Sequence, residues 1–415
     1  MGLPDHGVGA GVTRLLVVSD SARAATGFGT ASRNLLPRLA RMGFDIDALA
    51  LYEHGSTSRR TEWGTSFPVS PSDSMGFGLL GALVERRPAA VVLLHELVYC
   101  HEWAGRLRAC GWLGPIVGYF PVYGPVLSQL EVRALRVMDV RVALSRYGAH
   151  VVKDHGFPCS AVHLGVDARR FRPAPGPARQ RIRESLGWDG RFVVAYVARN
   201  RWNKQQPKLL HAARILIDRG VRDVLVYLHC VPYLGHPHWV PGTGYVEQEH
   251  DLMGLRTDLD LAGVLCFPED LRDQTEGIPE DRLVRLLQGS DCVAHVAHGE
   301  GFGLPLVEGL ACGLPVVFTA DGRVMSEIVA RAGMAVVPQG ELIDSVGNRF
   351  GEVTALQWAD AILSMRRLLS DDSSRRVFRR RARRRALGFT WDDTACRLAR
   401  VVRGALTAGD GWRSG

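Results

Sequence analysis

Short apolar runs alternate with longer stretches of helical character along the whole of this chain, and that alternation confines it to the α/β class. In the first half the runs fall at residues 14–19, 46–51, 89–95, 116–120 and 140–145, with a helical stretch through 34–42 after the first. Short strands separated by helices imply βαβ units and a parallel sheet with helices on both faces. Residues 172–177, Arg-Pro-Ala-Pro-Gly-Pro, carry three prolines, which extend neither helix nor strand, and read as a linker. A second alternating series follows at 192–198, 224–229, 264–267, 292–297, 315–318 and 334–337. The expectation is two Rossmann-like doubly wound domains facing an interdomain cleft, with ligand off the carboxyl ends of the strands. A length of 415 residues accommodates both.

The boundaries read from this pattern are a flexible tail over 1–12, a first domain over 13–174, a second over 175–388, and a terminal segment over 389–415. In that last segment Ala395, Leu398 and Val402 fall on one side of an amphipathic helix. At 46% hydrophobic and 23% charged residues, the composition is that of a globular protein with ample core. No apolar run approaches the roughly 18–20 residues of a membrane span, and the first residues lack the basic start and apolar core of a signal peptide. A cytoplasmic protein is expected. None of the eight cysteines forms a C-x-x-C pair, so buried reduced thiols are expected and a zinc site is not.

The net charge of +8 owes much to Arg375, Arg376, Arg379, Arg380, Arg381, Arg383, Arg384 and Arg385. The first reading of that cluster is a solvated arginine-rich helix face, and the second is contact with a polyanion.

Residues 299–317 carry the most chemistry: Gly-Glu-Gly-Phe-Gly-Leu-Pro-Leu-Val-Glu-Gly-Leu-Ala-Cys-Gly-Leu-Pro-Val-Val. A glycine-rich turn that opens a helix holds anions, because free N–H groups and the helix dipole both point at the ligand. The N–H groups of Phe302, Gly303 and Leu304 are candidates for holding ligand oxygens. Glu300 sits on the turn, and Glu308, eight residues on, is expected about two helical turns further. Two carboxylates so spaced can reach the two ends of one ligand.

This segment resembles the E-x7-E motif of retaining GT-B glycosyltransferases, family four of the group 1 enzymes. The resemblance implies that Glu300 contacts the donor sugar and Glu308 the ribose of the nucleotide. Arg199 and Lys204, five apart after the first strand of the second domain, resemble the family's R-x4-K pair for the donor diphosphate. Two cations there answer the charge that builds on a leaving diphosphate. Arg201 is a third candidate.

After the first strand, Thr26-Gly-Phe-Gly29 resembles the T-G-[FY]-G loop of a bacterial and phage-like branch, which places Gly27 and Gly29 near the donor phosphate. Position 32 is Ser, so the G-x-G-x-x-G dinucleotide fingerprint is absent. His95 and Glu96 end a strand and are expected at the donor sugar or the acceptor hydroxyl. Tyr123 is an acceptor candidate, and it stands where relatives of this branch often carry an acid. Ser145-Arg146 and the segment His163-Leu-Gly-Val-Asp167 match architectural positions of the family. Val296 and Ala297 replace its usual Pro-Ser, with His298 as a partial substitute. Base contacts are expected from the backbone at 267–270.

The resemblance implies a hexosyltransferase that moves sugar from a nucleoside-diphosphate donor to an acceptor hydroxyl with retention. Glu300, His95, Arg199 and Lys204 are its expected catalytic residues. No metal is expected, since Asp258-Leu-Asp260 does not follow a strand. The acceptor, whether small molecule, glycan or modified DNA base, and the oligomeric state stay open. Two other readings stand beside this one: a sugar-nucleotide epimerase on the same scaffold, and a silent sugar-nucleotide-binding protein.

Overall fold

The structure, a computed structural model, describes residues 13–233, 238–240, 245–247, 249–268, 278–344 and 347–409. The expected tail at 1–12 lies outside them. The chain divides into two compact units. One comprises Met1–Phe120, Leu130–Arg141 and Ala395–Gly415, and the other Pro121–Gln129 and Val142–Thr394.

The first series of elements runs β1 (Thr13–Asp20), α1 (Gly27–Arg41), β2 (Phe44–His54), β3 (Arg59–Thr61), β4 (Gly64–Val69), α2 (Leu80–Glu85), β5 (Ala90–Leu94), α3 (Leu97–Ala109), β6 (Ile116–Phe120), α4 (Gln129–Val137), β7 (Val140–Ala143), α5 (Arg146–Asp154) and β8 (Ser160–Ala161). Its strands form one sheet in the order β3-β4-β2-β1-β5-β6-β7-β8. β1 pairs in parallel with β2 on one side and β5 on the other, with Val18 opposite Leu93. Strand β1 is buried from Leu15 onward and β5 throughout, as expected of strands covered on both faces.

The second series runs α6 (Gly176–Leu186), β9 (Phe192–Val197), α7 (Gln206–Asp218), β10 (Val224–His229), β11 (His238–Val240), β12 (Tyr245–Glu247), α8 (Leu252–Asp258), β13 (Leu265–Cys266), α9 (Glu280–Gly289), β14 (Cys292–His295), α10 (Leu304–Ala311), β15 (Val316–Thr319), α11 (Val324–Val329), β16 (Gly333–Val336), β17 (Gly340–Ile343), β18 (Arg349–Glu352), α12 (Ala355–Ser370), α13 (Asp372–Ala386) and α14 (Trp391–Gly409). Six parallel strands make its sheet, in the order β13-β10-β9-β14-β15-β16. Leu209, Leu216, Trp358, Ile362 and Met365 of α7 and α12 pack into the core of this sheet.

Both sheets reverse their strand order once, the first between β1 and β5 and the second between β9 and β14. Open α/β sheets bind ligands off the carboxyl ends of the strands at such switch points. The structure therefore nominates the loops after β1 and β5, and those after β9 and β14.

Three expectations need correction. Helix α6 begins inside the proline-rich linker, with Pro177 in its first turn. Proline is tolerated there because the first N–H groups of a helix have no internal partner. The hairpins β3-β4 and β17-β18 were not foreseen. Cys110 and Cys396 are exposed, whereas Cys100, Cys159, Cys230, Cys292 and Cys312 are buried, and all eight thiols are free. Among the described residues no helix is long and apolar enough to cross a membrane.

In the terminal helix α14, Ala395, Leu398 and Val402 are buried. Arg403 donates to the Met42 carbonyl at 2.6 Å and lies 5.2 Å from the Phe44 ring centre, contacts within the first unit.

Candidate functional site

In the second unit, the loops after β9 and β14 bring together the residues that carry charge. Lys204 ends a 3-10 turn, Trp202–Lys204, whose geometry is fixed by the Tyr196 hydroxyl donating to the Lys204 carbonyl at 2.7 Å. Asn200, fully buried, exchanges two hydrogen bonds with the His250 backbone, and Gln206 donates to the Arg199 carbonyl at 2.6 Å. The loop bearing Arg199 and Lys204 is thus held from three directions, which fixes where both cations stand.

Glu300 follows β14 and meets Lys204. Its Oε1 accepts from Lys204 Nζ at 2.7 Å and from His295 Nε2 at 2.8 Å. Burial by itself would raise the Glu300 carboxyl, but the Lys204 charge and the His295 hydrogen bond outweigh it and hold the group at about 2. Glu300 is therefore an anion at neutral pH. His295, 0% exposed and edge-on to Tyr196, had no signal in the sequence beyond its place in an apolar run.

Helix α10 opens at Leu304 with Gly303 as its N-cap, at φ +85°. A Cβ on Gly303 would lie 2.7 Å from Leu306 Cδ1, and one on Gly301 2.1 Å from Pro121 Cβ, so both positions demand glycine. Leu304 begins the helix, where N–H groups have no intrahelical acceptor and point outward. The side chain of Phe302 is a core element, edge-on to Phe389. Glu308 is 9% exposed. It stands about one turn into α10, not two, because residues 300–303 are not helical.

His298 lies in the same loop, two residues before Glu300. Its ring stacks on Phe350 of β18, and its Nε2 accepts from Lys208 Nζ at 3.3 Å. Burial, with the Lys208 charge adding, pushes the imidazole down to about 3, so it is neutral at physiological pH. The hairpin β17-β18 thus presses on the glycine-rich turn, and a Cβ on Gly299 would lie 3.1 Å from Phe350 and 3.3 Å from the Tyr123 carbonyl. That is where Tyr123 falls, within 121–129 of the second unit. Of the base-contact segment 267–270, positions 269 and 270 lie outside the described residues.

His163, Arg146 and Tyr147 converge on one carboxylate. Glu327 accepts from the Arg146 and Tyr147 N–H groups at 3.0 Å each and from His163 Nε2 at 2.5 Å. The Glu327 side chain therefore binds the first N–H groups of α5, whose N-cap is Ser145.

In the first unit, the loops after β1 and β5 form a second cluster. Gly27 and Gly29 flank Phe28, whose ring stacks on His95 at 4.6 Å. A Cβ on Gly29 would lie 2.3 Å from the Ala24 carbonyl oxygen, whereas one on Gly27 meets nothing within 4 Å. His95 also faces Asp20, with Nε2 to Oδ1 at 3.2 Å. Glu96 is the N-cap residue of α3, half-buried, with no side-chain capping bond.

The arginine cluster corrects its first reading. Helix α13 is not simply a solvated basic face. Arg383 donates to the carbonyls of Phe171, Ala311 and Ala168 at 2.6–2.7 Å, and Arg385 to those of Ile328 and Glu327 at 2.8 and 2.6 Å. Arg376, Arg380, Arg381 and Arg384 are exposed. Among the described residues no three His, Cys, Asp or Glu side chains group as a metal site.

Residues 273–385 match the family described as Glycosyl transferases group 1. A D-inositol 3-phosphate glycosyltransferase of Kineococcus radiotolerans is 31% identical over 341 residues, covering 75% of this chain and 72% of that protein. The chain spans about half the length of other curated relatives with that name. Among solved structures, sucrose-phosphate synthase from Thermosynechococcus elongatus superposes with a TM-score of 0.69 at 17% identity, covering 95% of this chain and 100% of that one. Anabaena HepE in complex with UDP-glucose superposes at 0.67 and 15% identity, covering 94% and 99%. These structural likenesses extend over nearly the whole chain and give the fold class, α/β of the GT-B type. With the alignment to the Kineococcus protein and the matched family region over the E-x7-E segment, the chain belongs to the glycosyl transferases group 1 family.

Proposed function

We propose that this chain is a cytoplasmic, retaining glycosyltransferase that moves a hexose-type sugar from a nucleoside diphosphate to an acceptor hydroxyl. The observation that carries the reading is Glu300, ionised and held by Lys204 and His295 at the switch point of the second sheet. A bound diphosphate competes with Glu300 for Lys204, which couples donor entry to the freeing of a carboxylate for sugar hydroxyls. Arg199 and Lys204 stabilise the charge that grows on the leaving diphosphate, the role a metal fills elsewhere. Glu308 takes the ribose, the N–H groups at 302–304 take phosphate and sugar oxygens, and Gly27 and Gly29 let the backbone approach the donor.

Retention then proceeds by attack on the face from which the diphosphate departs, and the diphosphate accepts the proton of the acceptor hydroxyl. No carboxylate nucleophile is needed, unlike in retaining glycosidases. His95 orients the sugar, and Glu96 and Tyr123 belong to the acceptor side. The UDP-glucose bound to HepE supports a nucleotide-sugar donor. The name of the Kineococcus relative supports a small polyol as acceptor. The carbonyl contacts of Arg383 and Arg385 remove part of the reason to invoke a polyanion. Buried free thiols support a reducing compartment.

The test is turnover of NDP-hexoses with polyol acceptors, read by proton NMR of the product. A glycosylated acceptor with the donor's anomeric configuration is expected. Inversion overturns the retaining assignment, and an altered sugar nucleotide formed without acceptor favours an epimerase.

A further inference from the structure

We propose that Asp20 is a positioning residue, which fixes the tautomer and plane of the His95 ring and so sets the hydrogen bond His95 offers a donor sugar. This rests on the reading of His95 as a sugar contact. Strand register brings the two together across 75 positions of sequence. Val18 of β1 lies opposite Leu93 of β5, so two residues further on Asp20 and His95 stand side by side where the sheet reverses its order.

Every side of the Asp20–His95 pair is held. Asp20 is 4% exposed and His95 8%. One Asp20 oxygen faces His95 Nε2 at 3.2 Å, and the other accepts from the Thr26 hydroxyl. Thr26 in turn accepts from the Gly29 N–H at 2.8 Å as N-cap of α1. The His95 ring lies parallel to Phe28, within 20°, while Tyr99 and Trp103 meet it edge-on at 5.1 and 5.2 Å. The three rings and the carboxylate together hold the imidazole in one orientation.

The chemistry follows from the donor inventory. A carboxylate only accepts, so the imidazole nitrogen facing it carries the proton. The other nitrogen, Nδ1, is then a lone-pair acceptor, and it is buried with no partner among the described residues. Such an atom suits a hydroxyl that donates. Without Asp20 the ring divides between tautomers, and the Nδ1–H form presents a donor where the sugar needs an acceptor. The Thr-Gly-Phe-Gly loop thereby gains a role beyond phosphate approach, since Thr26 anchors Asp20 and Phe28 covers His95.

Two measurements test this. The first is calorimetric affinity for UDP and for UDP-glucose in the wild type, Asp20→Ala and His95→Ala, with Asp20→Asn as the conservative variant should alanine prevent folding. Asp20→Ala is expected to weaken UDP-glucose about tenfold, the scale of one hydrogen bond, and to leave UDP within about twofold. A merely structural role would lower both together, and that result overturns the proposal. If His95→Ala weakens UDP-glucose and Asp20→Ala does not, the proposal falls and the function stands. The second is the nitrogen-15 spectrum of the histidine rings, which needs no turnover. His95 protonated on Nε2 in the wild type, with that preference lost in Asp20→Ala, supports the proposal even if UDP-glucose is not the donor. Protonation on Nδ1 in the wild type overturns it.

Discussion

Lys204 and Glu300 form a partly buried ion pair at 2.7 Å, and the same Glu300 oxygen also receives the His295 ring N–H at 2.8 Å. The two partners come from loops 96 positions apart and meet because β9 and β14 are neighbours in the sheet. Glu300 is held at about 2 against an ordinary value of 4.5. A carboxylate depressed in the folded state contributes stability that is full above its unfolded value and is lost as pH falls towards the folded one. The stability difference between wild type and Glu300→Gln should therefore be constant from about pH 6 to 8 and should move against the wild type between about pH 5 and pH 2. Urea midpoints at neutral and at acid pH check this.

Lys204→Met leaves Glu300 buried with one partner fewer. Breaking one side of such a pair costs about 3 kcal/mol at neutral pH, and Glu300→Gln should cost less because the amide oxygen can still accept from Lys204 Nζ. Thermal unfolding of the two variants, compared with the double variant, measures the coupling.

Removing either cation proposed to hold the diphosphate should act on the rate. Arg199→Ala and Lys204→Ala are expected to lower kcat/KM for an NDP-hexose by about 10²- to 10³-fold, the scale for losing one preorganised contact to developing charge. Steady-state release of the nucleoside diphosphate provides the readout.

The two glycines beside Phe28 should differ. Gly29→Ala drives a methyl to 2.3 Å from the Ala24 carbonyl and should destabilise by about 2 kcal/mol, whereas Gly27→Ala meets open space and should be neutral within about 0.5 kcal/mol. Chemical denaturation of the two variants separates a steric requirement from a purely phosphate-binding one.

Along α13 the arginines should divide by what they touch. Arg383→Ala strands three backbone carbonyls and should cost about 2 kcal/mol or more, while exposed Arg384→Ala should stay within about 0.5 kcal/mol. Unfolding midpoints of both variants check the division.

How much of this was legible in the sequence depends on the range of each interaction. The core strands were, because a buried parallel strand is a continuous apolar run: β9 spans Phe192–Val197 and the run was read at 192–198. The hairpins were not. β3 is Arg-Arg-Thr and β17 is Gly-Glu-Leu-Ile, neither with an alternating apolar pattern. Glu300 announced itself by its spacing to Glu308. His295 and Asp20 did not: the geometry of one turn aims His295 at Glu300, five residues on, and strand register brings Asp20 to a histidine 75 positions away. Likewise the arginines of α13 look alike in the chain and differ only in which carbonyls the fold places within reach.

The central claim, that the loops after β9 and β14 hold a sugar nucleotide, is tested most directly by the melting temperature of the purified chain with UDP-glucose, other UDP-hexoses, GDP-mannose and ADP-glucose. At least one should raise it, since a ligand at about 100 times its Kd adds about 2.7 kcal/mol to the folded state. The rise should be lost in Arg199→Ala. No shift with any of them would contradict the account.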